Sequence, residues 1–110
     1  MATLNVGNRP DVTKEKALEA FRKRFEGTYK VYPTRVMLRD FIIEKSATTG
    51  VGVRVKQDGD GTTFVYSAMV PNPIVRALGG GLIGGLIMRG SFAMEDEVTQ
   101  FIKQEFGSGG

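Results

Sequence analysis

Apolar side chains near the start of the chain recur at helical spacing: Ala17, Leu18, Phe21 and Phe25 share one face of a run over residues 14–26. The pattern predicts an amphipathic helix. Asp11-Val12-Thr13 places N-cap candidates ahead of it. Arg22, Lys23 and Arg24 suit the negative end of the helix dipole, and Gly27 offers a left-handed stop.

Over residues 28–70 the period shortens to two, and β-branched and aromatic residues alternate between turn signals. This predicts an antiparallel meander of three to five strands. A short strand at residues 29–32 runs into Pro33, which confines it to an edge or forces a bend before residues 34–38. Residues 40–45 form the next strand, with Phe41 and Ile43 on one face and Ile42 and Glu44 on the other. Val51, Val53 and Val55 then alternate with Gly52, Arg54 and Lys56, so one face is expected in the core and the other in water. Asp58-Gly59-Asp60-Gly61 is a hairpin signal leading into a strand over residues 62–70. An EF-hand reading of those acids fails because the downstream acids and the closing glutamate are missing.

Pro71-Asn72-Pro73 ends the sheet, with Asn72 as N-cap and Pro73 as first residue of a helical stretch over residues 74–78. A glycine-rich apolar segment follows. Ser91 is expected to cap a closing helix whose first turn holds Glu95, Asp96 and Glu97 and whose apolar stripe is Met94, Val98, Phe101, Ile102 and Phe106. The whole pattern predicts an α+β fold: an N-terminal helix, an antiparallel meander, a Gly-rich apolar helical segment and a C-terminal amphipathic helix packed on one sheet face. Residues 1–106 read as a single domain and residues 107–110 as a flexible Gly/Ser tail. The expected core is Leu18, Phe21, Phe25, Phe41, Ile43, Val51, Val53, Val55, Phe64, Tyr66, Val98, Phe101 and Ile102.

Composition narrows the chemistry. With 41 % hydrophobic and 25 % charged residues in 110, the chain can bury a core without crosslinks. The absence of His, Cys and Trp removes Ser-His-Asp and Cys-His catalysis, thiolate chemistry, and zinc or haem held by imidazole or sulfur. No group of Asp, Glu, Lys, Tyr, Ser or Thr marks a catalytic centre. A non-enzymatic protein is therefore expected, with no catalytic residue, cofactor or metal site assigned. The opening residues lack a basic and apolar signal pattern, which makes the cytoplasm the expected location.

The net charge of +3 is unevenly placed: it runs +2, +4, 0 and −3 over residues 1–27, 28–57, 58–90 and 91–110. In the basic part, Arg54 and Lys56 alternate outward as candidate anion contacts, with Lys45 and Arg39 as neighbours. Nucleic acid is the less favoured ligand for this face, because the aromatic and glycine motif of RNA-binding sheets is missing.

The run of twelve uncharged residues at 77–88, between Arg76 and Arg89, admits several readings. It is too short for a membrane span, which takes about twenty residues. Gly79, Gly81 and Gly84 match a dinucleotide fingerprint literally, but no strand leads into them. The glycines could simply allow close backbone approach to the sheet. Yet Ile74, Val75, Leu78, Leu82, Ile83, Leu86, Ile87 and Met88 crowd fifteen positions, more than one helix hides on one sheet face. The expected function is therefore an interaction or assembly module that buries Ile74, Leu78, Leu82, Ile83, Leu86 and Ile87 against a second copy or a protein partner. The alternative is a small carrier of an apolar ligand or lipid, with the same segment as a lid over the sheet.

Overall fold

The alternating valines of residues 51–55 build the centre of a sheet, and the computed structural model of the chain describes what surrounds them over residues 2–35, 38–59, 61–72, 74 and 89–107. In chain order the elements are β1 (Ala2–Asn5), α1 (Lys14–Phe25), β2 (Lys30–Pro33), β3 (Phe41–Ser46), β4 (Thr49–Asp58), β5 (Gly61–Met69) and α2 (Arg89–Glu105). The strands form one antiparallel sheet in the order β1-β5-β4-β3-β2. This is an α+β arrangement of five strands and two described helices. The Gly-rich helical segment expected over residues 75–88 lies outside the described residues.

Local chemistry explains the boundaries. The Thr13 side chain accepts a hydrogen bond from the Lys16 N–H at 3.1 Å and so caps α1, whose chain exit passes through Gly27 at φ 81°. Pro33 ends β2, which is an edge strand as its missing N–H requires. Strands β4 and β5 meet at the paired Asp58 and Gly61, and Gly61 takes φ 115°, a value an L side chain resists.

Helices and sheet share one core. Val31, Phe41, Ile43, Val51, Val53, Phe64 and Tyr66 come from the strands. They meet Ala17, Phe21 and Phe25 of α1 and Met94, Val98, Phe101 and Ile102 of α2. Leu18 and Val55 pack against this cluster partly buried. Phe21 is its hub, with ring centroids 5.0 Å from Phe41, 4.8 Å from Phe101 and 6.2 Å from Phe25. Such ring pairs add about 0.5–1.5 kcal/mol each beyond area burial.

Two sequence expectations need correction. Residues 2–5 form a strand paired with β5, from Ala2 opposite Tyr66 to Asn5 opposite Thr63, where no element was expected. Ser91 does not cap α2. The helix begins two residues earlier at Arg89, so the Ser91 hydroxyl is turned to the sheet, where it accepts from Gly50 N–H (2.8 Å) and donates to Met69 C=O (3.3 Å). The acids are displaced with it: none stands in the first turn, and Glu95 accepts the Ala68 N–H at 2.7 Å beyond the end of β1.

Candidate functional site

Strand alternation sends every second side chain away from the helices, and the register sorts these into four rows. They are Asn5–Thr63–Lys56, Thr3–Val65–Arg54, Ser67–Gly52–Ile42–Tyr32 and Met69–Gly50–Glu44–Lys30. The last two rows are largely covered. Ile42 and Met69 are buried, although they face away from the main core. Pro71 lies against Gly50, 2.6 Å from where a Cβ would stand, and the Tyr32 hydroxyl donates to Glu44 Oε1 at 2.6 Å. Residues 50–53 thus alternate between core and a second covered patch rather than between core and water, and the face opens to water from Arg54 onward and at Lys30 on the far edge.

Arg39 marks the border between the covered and open parts. Its side chain crosses the face over Gly52, in the space a Cβ would fill. Its guanidinium donates to Ser67 Oγ and, through Nη1, to Leu38 C=O at 3.0 Å, while Nε is enclosed without a hydrogen-bond partner. Leu38 itself takes φ 64°, in the left-handed region that a leucine avoids, and is 55 % exposed.

Beside this turn is a hollow of about 330 Å³. Arg39, Arg54 and Lys56 bring three cations to its wall, Asp58 brings one carboxylate, Thr3 and Thr63 bring hydroxyls, and Leu38 and Val65 bring apolar surface. The side chain of neither Arg54 nor Lys56 makes a hydrogen bond or ion pair among the described residues; the ion pairs there are Arg9–Asp11 and Arg22–Glu19. The structure therefore brings together Arg54, Lys56 and Arg39. It does not bring Lys45, which stands at the far end of β3, away from the Phe41–Val53 pair that neighbours Arg54. The expected neighbour Arg39 is thus in place, its approach allowed by a glycine among the valines of β4, whereas nothing in the sequence marks the backbone of Leu38.

A larger hollow of about 660 Å³ beside the end of α1 is electrically balanced by Glu19, Glu26, Arg22 and Lys23. Arg22 is already engaged there, with Glu19 at 3.2 Å and with Val31 C=O at 3.0 Å.

Of the apolar contact residues expected from the sequence, Ile74 is described and is 71 % exposed, its N–H held by Asn72 Oδ1 at 2.9 Å. Leu78, Leu82, Ile83, Leu86 and Ile87 lie outside the described residues. The chain on either side of them meets the β3–β4 turn: Asn72 N–H donates to Ala47 C=O at 3.0 Å, and Gly90 lies against Thr49. Phe92, just beyond, is 54 % exposed. Among the described residues no helix is long and apolar enough to cross a membrane.

No family model, curated protein or solved structure matches the chain.

Proposed function

We propose that this protein is a non-enzymatic binding module that holds an anion on the helix-free face of its sheet. The observation that carries the reading is the hollow at Arg39, Arg54 and Lys56, where among the described residues three cations face one carboxylate and the side chains of Arg54 and Lys56 have no partner. Like charges gathered on a strand and the turn beside it repel, and a bound anion offsets that repulsion. Guanidinium, ammonium and hydroxyl groups bind and orient charge, which favours recognition over catalysis. An apolar cargo suits the open rows less well, because their centre is basic.

Inorganic phosphate titrated into isotopically labelled protein is the direct test. Amide shifts should localise to Arg39, Arg54, Lys56 and Thr63 and shrink as salt screens the site. An Arg54→Gln, Lys56→Gln double variant should weaken binding about tenfold or more, on the scale of losing a charge-assisted hydrogen bond. Shifts scattered over the surface, or unchanged in that variant, would refute the reading.

A second reading, association through residues 74–88, draws support from Ile74 and Phe92. Both are large, apolar and exposed at either side of the uncharged run, whose flanks converge on the β3–β4 turn. On this reading Ile74, Leu78, Leu82, Ile83, Leu86 and Ile87 contact a second copy or a protein partner.

A further inference from the structure

The anion reading leaves open whether the ligand is a polymer, such as a nucleic acid, or a compact molecule, and the layout of the face separates the two. A single strand is held by a basic track with aromatic platforms for successive bases. Here three cations of the face are gathered in one corner, and Lys30 stands apart on the opposite edge strand, with the covered rows between. Past Arg39 the face is closed by Met69, Ile42 and Pro71, and Tyr32, the aromatic side chain of the four rows, is tied to Glu44. The hollow's 330 Å³ lies at the small end of the range for small-molecule sites, about 300–1,000 Å³.

Resting on that anion reading, we propose that the site takes a soluble phosphomonoester carrying a small apolar body. Among the described residues, three cations and one carboxylate leave a local surplus of two positive charges. A phosphomonoester carries about −1.5 to −2 at neutral pH and so matches it, whereas a phosphodiester link carries about −1. Hydroxyl donors are available as well. Asn5 Nδ2 donates to Thr63 Oγ1 at 3.2 Å, so the Thr63 hydroxyl proton is left to point at a ligand oxygen.

The apolar part follows from Leu38. Its left-handed backbone is one that a residue with a Cβ resists. That same conformation aims its carbonyl at Arg39 Nη1 and leaves its side chain at the rim of the hollow, with Val65 in the wall. One turn thus fixes a cation and presents an apolar lip beside it, which is the combination a phosphate ester needs and a bare phosphate does not.

The test compares phenyl phosphate, inorganic phosphate, phenol and a short oligothymidylate on the full chain by calorimetry and amide shifts. Phenyl phosphate should bind about tenfold more tightly than inorganic phosphate, the gain from burying much of one ring. Leu38→Asn, which keeps a residue tolerant of the left-handed backbone, should bring the affinities for phenyl phosphate and inorganic phosphate to within about twofold of each other; Arg54→Gln should weaken both. Equal affinity for the two phosphates overturns the proposal. So does length-dependent oligothymidylate binding without a phenyl phosphate response, which leaves the anion reading standing. Binding to phosphatidylcholine vesicles only when they contain phosphatidic acid, with no competition by phenyl phosphate, overturns the soluble ligand. No response to any anion removes both readings.

Discussion

Arg39 lies over Gly52 so closely that a Cβ on residue 52 would collide with its Cδ and Nε and stand 2.7 Å from Met69 Sδ. The glycine is therefore what lets an arginine from the turn before β3 reach Ser67 on β5. Gly52→Ala should keep the fold and push Arg39 off the sheet. Overpacking costs about 1–3 kcal/mol, and the gain from replacing a strand glycine recovers about 0.5–1. Urea denaturation should show a net loss of about 1 kcal/mol, with anion binding weakened together with the Arg39 Nε–H resonance shift. Wild-type anion affinity in Gly52→Ala would detach Arg39 from the site.

Ser91 offers a second test, in the core rather than at the surface. It is fully buried and serves Gly50 N–H and Met69 C=O where the β3–β4 register shifts. Ser91→Ala leaves that N–H without a partner and should cost about 1–3 kcal/mol, read from the urea midpoint. A helix cap made by Ser91 would instead predict rescue by Asp or Asn. Neither should rescue it here, because a charge or an amide would have to fit between α2 and the sheet.

How far the sequence could be read follows from where the causes lie. The α1 cap, the Gly27 stop, the β4 alternation and the Asp58–Gly61 hairpin are local, and each was legible. Strand β1 was not, since four residues with one large apolar side chain carry no periodicity and pairing with β5 places them. The start of α2 is not legible locally, because Ser91 suits a cap while the sheet offers its hydroxyl two backbone partners. At the candidate site, Arg54 and Lys56 were visible from alternation alone. Arg39 joins them through a turn and a missing Cβ, and Leu38 through a backbone angle that its identity disfavours.

Phe21 tests how much of the fold rests on one aromatic hub. It is fully buried and its ring neighbours Phe25, Phe41, Phe64, Phe101 and Phe106, drawn from both helices, two strands and the residue just beyond α2. Phe21→Ala should cost about 3–5 kcal/mol, a large share of the stability of a domain this size. Phe21→Leu should cost clearly less and retain a cooperative thermal transition.

Tyr29 makes stability depend on alkaline pH. Burial, and then the hydrogen bond its hydroxyl donates to Glu97 at 2.7 Å, push its pKa up to about 12. In the unfolded chain the phenol ionises near pH 10. Between about pH 10 and about pH 12 the native state therefore keeps a proton that the unfolded state has lost, and stability falls as pH rises through that window. Urea midpoints of wild type and Tyr29→Phe should converge as the pH climbs from about 10 to about 12. A constant difference would mean that the phenol does not titrate differently in the two states.

The uncharged run at residues 77–88 leads to a prediction about mass rather than stability. A buried leucine contributes about 1.5–3 kcal/mol, so Leu82, Ile83, Leu86 and Ile87 shared between two copies would support a stable dimer even after the cost of association. On that reading, aspartate at either leucine places a charge in the contact between copies. Leu82→Asp and Leu86→Asp should therefore lower the mass seen by light scattering to that of a single chain, while the far-ultraviolet circular dichroism stays unchanged. Wild-type protein that scatters as a monomer at high concentration defeats self-association, and loss of secondary structure in both variants would assign these leucines to the fold instead.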